Sequence, residues 1–141
     1  MTRTSQVELT TLINSWQETA RPEQITPKEP NKPWSLWLVL AGRGWGKTRV
    51  GAMDTVLYAL SNPNSQCAVV VPTFGDLRRV AFGGVSGILK YIPENSYLKG
   101  RGQGYSISNQ EIRLHNGSKI MGFSATEPDR LRGPQFHRAW C

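Results

Sequence analysis

The sequence has no long hydrophobic run and only two cysteines. Its longest apolar stretch covers residues 36–41, far short of the about 20 residues that a membrane-spanning helix needs. Met1 is not followed by a signal-peptide pattern. Cys67 lies in an apolar run and Cys141 ends the chain, a spacing that suits neither a metal site nor a disulfide framework. We therefore expect a cytoplasmic protein with no membrane partner.

Acidic residues are scarce relative to basic ones. The chain has 17 Lys and Arg against 10 Asp and Glu, a formal net charge of +7, and the basic residues are scattered. This excess fits a polyanion such as DNA, although solvated Lys and Arg side chains explain it equally well. Hydrophobic residues make up 38% of the chain and charged residues 19%, which favours a folded protein over a disordered one.

The first 33 residues are predicted to form a helix and a connector. Ser5 and Glu8 have capping-box spacing, and the residues after them place an apolar face on a helix: Leu9, Leu12, Ile13 and Trp16. Prolines at positions 22, 27, 30 and 33 predict an extended connector. We therefore divide the chain into residues 1–33 and a globular domain over residues 34–141.

The globular part alternates strand and helix patterns, which predicts an α/β fold. Residues 36–41 have the continuous apolar character of a central strand buried on both faces. Apolar residues recur at helical spacing from Thr48 to Asn62, and residues 67–71 form a second strand pattern. The two strands should pair in parallel through the helix, as a βαβ unit.

The second half of the domain is predicted to contain a broken helix and a hairpin. Residues 77–81 have helical apolar spacing, which Gly83 and Gly84 should interrupt. Residues 111–124 alternate apolar and polar side chains on either side of Asn116-Gly117. This pattern predicts a β-hairpin with a type I′ turn.

Residues 41–48 carry the most informative motif. They read Ala-Gly-Arg-Gly-Trp-Gly-Lys-Thr, a P-loop whose usual first glycine is an alanine. Its glycines let backbone N–H groups turn inward, and the following helix adds its positive end. Lys47 would contact the β- and γ-phosphates of ATP and Thr48 would bind Mg²⁺. The alternative is a glycine-rich turn with surface side chains, but the strand and helix patterns around it favour a nucleotide site: Gly42, Arg43, Gly44, Trp45, Gly46, Lys47 and Thr48.

Three segments of the chain resemble phage large terminase subunits. Residues 37–49 are similar to the Walker A region of that family, which often has an arginine inside the loop, and residues 123–135 resemble the segment before Walker B. Residues 21–24 resemble the lead-in to the same domain. The resemblance implies a P-loop NTPase domain of the RecA-like, additional-strand type, with a mainly parallel sheet flanked by helices plus the hairpin. It implies the ATP-binding part of a motor that drives double-stranded DNA into a capsid.

The resemblance also implies roles for single residues. Arg43 matches a phosphate sensor that couples nucleotide state to movement, or else is a solvated loop arginine. Arg132 resembles the arginine finger that acts on a neighbouring subunit's ATP, with Arg130 as the second candidate, and either could instead pair with nearby acids. Gln24 matches a glutamine that recognises adenine, because an amide both donates and accepts; the alternative is a solvated connector residue.

The same resemblance implies partners and a location. The full motor would be a homo-oligomeric ring that works with a small terminase subunit and a portal ring, in the host cytoplasm and transiently docked on the procapsid portal. Residues 136–141 have the pattern of the strand that ends in the Walker B acids, so we expect an incomplete domain with little ATP hydrolysis. A helicase-like P-loop ATPase and a fragment that binds without catalysis remain alternatives.

Overall fold

Helices flank a five-stranded sheet in the computed structural model, which describes residues 3–28, 33–97 and 104–141. The α-helices are α1 (Arg3–Thr19), α2 (Lys47–Ser61), α3 (Phe74–Asp76) and α4 (Ile88–Tyr91). Short 3₁₀ helices cover Pro22–Gln24, Glu94–Ser96 and Pro128–Leu131, and a π-helix covers Leu77–Phe82. The strands are β1 (Gln66–Val71), β2 (Tyr105–Ser106), β3 (Glu111–Arg113), β4 (Lys119–Ser124) and β5 (Arg138–Trp140). Within the described ranges, no helix is long and apolar enough to cross a bilayer.

The sheet is mixed rather than mainly parallel. Its strand order is β2-β3-β4-β1-β5. β1 runs parallel to both β4 and β5, whereas β3 is antiparallel to β2 and to β4. The predicted α/β class and the strand at the end of the chain are confirmed. The prediction of a mainly parallel sheet is corrected, because the hairpin adds its strands to the same sheet.

The predicted central strand at residues 36–41 lies outside the sheet. This segment is extended, but Leu36, Leu38 and Leu40 are 78%, 68% and 86% exposed, and no described strand pairs with it. The predicted βαβ unit is therefore wrong as well. An apolar run signals a tendency to be buried but does not select the partner, and here β4 and β5 already occupy both edges of β1.

The amino-terminal helix is confirmed, but the start predicted for it is wrong. Helix α1 is already helical at Arg3, so Ser5 lies within it and cannot be its N-cap. Leu9 and Trp16 are buried on the predicted apolar face. The connector is not wholly extended, because Pro22 begins a 3₁₀ helix, a position where the missing N–H of proline costs nothing. Pro30 lies outside the described residues.

Helix α2 packs across the parallel strands. Most of its buried residues are apolar: Val50, Ala52, Met53, Val56, Ala59 and Leu60. The buried Thr55 hydroxyl donates to the Gly51 carbonyl within the helix, at 2.7 Å. Gly51 brings the helix directly onto the Trp140 ring of β5, since a Cβ at this position would overlap the indole. Cys67 of β1 is completely buried, and burial raises the pKa of its thiol to about 12. The Cys67 side chain therefore stays protonated at neutral pH and serves the core.

The hairpin is confirmed, but its turn is not type I′. Leu114 N–H donates to the Ser118 carbonyl at 2.9 Å, and of the residues between them only Gly117 has a positive φ, of 87°. A type I′ turn needs positive φ at both central residues. Asn116 instead uses its side chain, which donates to the Ala59 carbonyl at 2.9 Å and accepts from Ser118 N–H at 3.0 Å. The turn is thereby tied to the end of α2.

The predicted helix near residues 77–81 is present, but it is a π-helix rather than an α-helix. Helix α3 continues into the π-helix Leu77–Phe82, and Gly83 ends it, as the sequence predicts. Leu77 packs against Gly122 of β4, where a Cβ would overlap the leucine side chain. The helix is therefore held against β4 of the sheet.

Candidate phosphate-binding site

The segment at residues 41–48, here called the glycine loop, turns sharply into α2. Trp45 N–H donates to the Gly42 carbonyl at 3.4 Å. Gly44 and Gly46 have φ values of 81° and 98°, a left-handed backbone that side chains with a Cβ disfavour. Gly46 is the N-cap of α2, whose first turn contains no acidic residue. The amino end of a 15-residue helix therefore opens at this loop, and its N–H groups and dipole favour an anion.

Lys47 turns its ammonium group back toward the start of the loop. Its Nζ donates to the Ala41 carbonyl at 2.6 Å and to the Gly42 carbonyl at 3.0 Å. The side chain is exposed, whereas that of Thr48 beside it is half-buried. Arg43 is exposed in the turn itself. Arg43, Lys47 and Thr48 thus lie around one loop.

Gln24 contacts the glycine loop from the connector. It is only 5% exposed. Its Nε2 donates to the Trp45 carbonyl at 2.7 Å, and its Oε1 accepts from Arg21 N–H at 2.8 Å. The structure therefore places Gln24 beside the predicted loop residues, with both ends of its amide bonded to the protein backbone.

Helix α1 is tied to the first turn of α2 by a contact that sequence reasoning missed. The Arg49 guanidinium lies 4.8 Å from the centroid of the Trp16 ring, and Arg49 Nη2 donates to Thr19 Oγ1 at 2.8 Å. Trp45 packs into the same small core, with Val50 among its members. The helical pattern of α1 indicates that Trp16 faces inward, but no sequence signal pairs it with Arg49.

The two candidate finger arginines lie apart from the glycine loop, in the segment after β4. Arg132 and Asp129 are each 86% exposed and 3.6 Å apart. Arg130 is held more firmly, since its Nε lies 3.1 Å from Glu127 and its guanidinium 5.5 Å from the Phe74 ring centroid. Across the described ranges, no hydrogen bond or ion pair joins Arg130 or Arg132 to the loop. The structure does not bring these arginines together with Lys47.

An open cleft of about 1030 Å³ lies between residues 33–39, the side of α2 and strand β5. Lys47 is among its lining residues, so the cleft adjoins the glycine loop. The Arg138 guanidinium lies 4.9 Å from the Trp34 ring centroid and 4.4 Å from that of Tyr58, and its Nη1 is 3.5 Å from Asp54. These contacts join Trp34 and the side of α2 to β5.

The fold and the loop together define an α/β protein with a candidate anion-binding loop at the amino end of a helix. The chain belongs to the family of T4-like terminase large subunits, because the sequence model for the amino-terminal part of that subunit matches residues 38–141. This family implies a role in phage DNA packaging and confirms the resemblance. No curated protein and no solved structure gives a significant match. The family match includes the glycine loop and Arg132 but not Gln24.

Replacing the loop glycines by alanine should cost stability in a graded order. Gly42→Ala should change the free energy of unfolding by less than about 0.5 kcal/mol, because its Cβ would meet nothing within 4 Å. Gly44→Ala has open space but a positive φ, so it should cost about 1 kcal/mol. Gly46→Ala should cost most, because it adds a contact of 2.9 Å with Gln24 Nε2. Urea unfolding of the three variants measures this order, and equal effects would contradict the loop geometry.

Proposed function

We propose that this chain is the ATP-binding part of a terminase motor that couples ATP hydrolysis to the movement of double-stranded DNA into a capsid. The observation that carries the proposal is the glycine loop, which ends at the amino terminus of α2 with the Lys47 ammonium turned back across it. The family match supports the packaging role. The motor would be a homo-oligomeric ring that works with a small subunit at the portal of the procapsid, in the host cytoplasm.

The residues around the loop fit a nucleotide polyphosphate and Mg²⁺. Phosphate oxygens would replace the Ala41 and Gly42 carbonyls as partners of Lys47, whose ammonium is a compact donor. Thr48 can offer one oxygen to Mg²⁺. The ion would take its other ligands from phosphate and water. Mg²⁺ would neutralise charge on the β- and γ-phosphates.

Lys47→Ala should reduce the binding of Mg·ATP by at least about tenfold, because it removes the charge that faces the phosphates. Thermal unfolding should barely change, since the Lys47 side chain is exposed and bonds exposed carbonyls. Calorimetric titration of both proteins with Mg·ATP tests this. Lys90→Ala is the matched control, because Lys90 is also exposed but lies in α4. Unchanged affinity in Lys47→Ala would refute the nucleotide site.

We further propose that the domain is of the RecA-like P-loop type, and that residues 36–41, which lie outside the sheet in this structure, can join it beside β5 as a sixth strand. In P-loop proteins the strand leads directly into the phosphate loop, and these residues immediately precede it. Leu36 and Leu38 line the cleft that β5 borders, and β5 is the outer strand of the described sheet. Burying an exposed leucine there would contribute about 1.5–3 kcal/mol. This gain favours closure of the cleft by the segment.

Leu38→Ser tests the added strand. If residues 36–41 pair with β5, the variant should lose about 2–5 kcal/mol of unfolding free energy, as buried leucines do. Val85→Ser is the matched control, because Val85 is 86% exposed in a loop, and it should stay within about 0.5 kcal/mol of the parent. Urea unfolding of the two variants distinguishes the cases. An equally small effect at both positions would mean that the segment stays in solvent.

Arg43, Arg130 and Arg132 are exposed, so their side chains can contact a bound nucleotide or a neighbouring subunit. The Arg132 side chain is 86% exposed, and its ion pair with Asp129 is worth little in water, so the side chain can turn toward the ATP of a neighbouring subunit. Arg130 is engaged with Glu127 and Phe74, which favours Arg132 as the finger. Arg43, in the turn of the loop, would sense the phosphates. The formal net charge of +7 is compatible with the DNA partner.

Arg132→Ala, in the whole large subunit assembled on its portal, should lower ATP turnover by about 10³-fold, because a finger stabilises charge that develops in the transition state. ATP affinity should change by less than about twofold, since the ground state makes little use of the finger. Arg130→Ala is the control and should retain most of the turnover. Steady-state ATPase and equilibrium ATP binding measure both effects. Parallel loss of binding and turnover in Arg132→Ala would instead assign this arginine a structural role.

A further inference from the structure

We propose that Gln24 is a positioning residue that fixes the backbone of the glycine loop, rather than a reader of the adenine base. Its effect on ligands rests on the proposed function above, but its effect on the loop backbone does not. The contact crosses 21 residues of sequence and joins the connector to the loop. Gln24 lies outside the part of the chain that the family match covers, whereas Trp45 lies within it.

The amide orientation of Gln24 is fixed by its two partners. The Arg21 backbone N–H can only donate, so it requires the amide oxygen, and the Trp45 carbonyl can only accept, so it requires the amide nitrogen. At 5% exposure, breaking either bond would leave a buried polar group unpaired, which is costly. Adenine recognition would need the same oxygen and nitrogen. The bonds to the protein therefore compete directly with bonds to a base.

The bond to Trp45 sets the direction of the next N–H in the loop. A trans peptide is planar, and its C=O and N–H point in opposite directions. Because the Trp45 carbonyl points at Gln24, the Gly46 N–H in the same peptide plane points away from it. Gly46 has a φ of 98° and stands so close that a Cβ would lie 2.9 Å from Gln24 Nε2. Gln24 thus holds the Trp45–Gly46 peptide in one orientation.

Gln24 is itself held by the packing of the amino-terminal segment. Arg21 and Gln24 bracket the 3₁₀ helix Pro22–Gln24, which follows α1 closely. Helix α1 is fastened to α2 through Trp16 and Arg49. The loop backbone is therefore fixed relative to α2 in two ways. It continues directly into the helix, and it is also held through Gln24 and α1. These contacts order the backbone that would bind the phosphates, so their effect does not depend on which base the nucleotide carries.

Gln24→Met removes both hydrogen bonds and nearly keeps the side-chain volume. Without any ligand, hydrogen exchange of the backbone at residues 42–48 should become about 2- to 10-fold faster, the effect expected from losing one hydrogen bond. Mg·ATP, Mg·GTP and Mg·tripolyphosphate should all bind more weakly by one common factor in that range. Thr26→Val is the matched control. It removes another connector bond to α2, from Thr26 Oγ1 to Asp54 at 2.7 Å, and should leave loop exchange unchanged.

The outcomes separate this inference from the proposed function. Weaker binding of Mg·ATP alone, with the other two ligands unaffected, would contradict the positioning role and would assign adenine recognition to Gln24. Unchanged exchange at residues 42–48 in Gln24→Met would overturn it as well. If the parent chain binds none of the three ligands, the proposed function fails, and the exchange comparison still decides whether Gln24 orders the loop.

Discussion

The geometry of the glycine loop depends on how the amino end of α2 is held. On the sheet side, Gly51 lets the helix lie directly on Trp140. On the opposite side, Arg49 joins it to α1, and Gln24 bonds to the loop just before the helix begins. These contacts place the first turn of α2 before any ligand arrives, so a polyphosphate would meet a preformed set of donors and lose less free energy in ordering them.

The sequence predicts elements whose periodicity is local. α2, β1 and the hairpin form where the patterns place them, because burial of their apolar faces agrees with their own backbone preferences. The strand prediction for residues 36–41 is wrong for a different reason. Their apolar character is clear, but β1 pairs with β4 and β5, which are distant in sequence, and local periodicity does not indicate which strands pair. The hairpin turn fails because the Asn116 side chain bonds to α2, which no local turn rule includes.

The site was partly readable from sequence for the same reason. Residues 42–48 form one contiguous motif, and the structure keeps them together at one loop. Gln24 was identified as a candidate, but its two backbone partners could be seen only in three dimensions. The contrast between Arg132 and Arg130 likewise comes from a tertiary contact, that of Arg130 with Phe74. Contacts between residues that are distant in sequence produce no motif spacing, so the sequence alone does not predict them.

The proposed function requires that phosphate groups bind at the amino end of α2. Backbone amide chemical shifts during titration with Mg·tripolyphosphate test it most directly, since the ligand has no base or sugar to find other contacts. The largest shifts should occur at residues 44–48, with the cleft residues Trp34 and Tyr58 little affected. Shifts concentrated at that cleft, or none at the loop at saturating ligand, would contradict it.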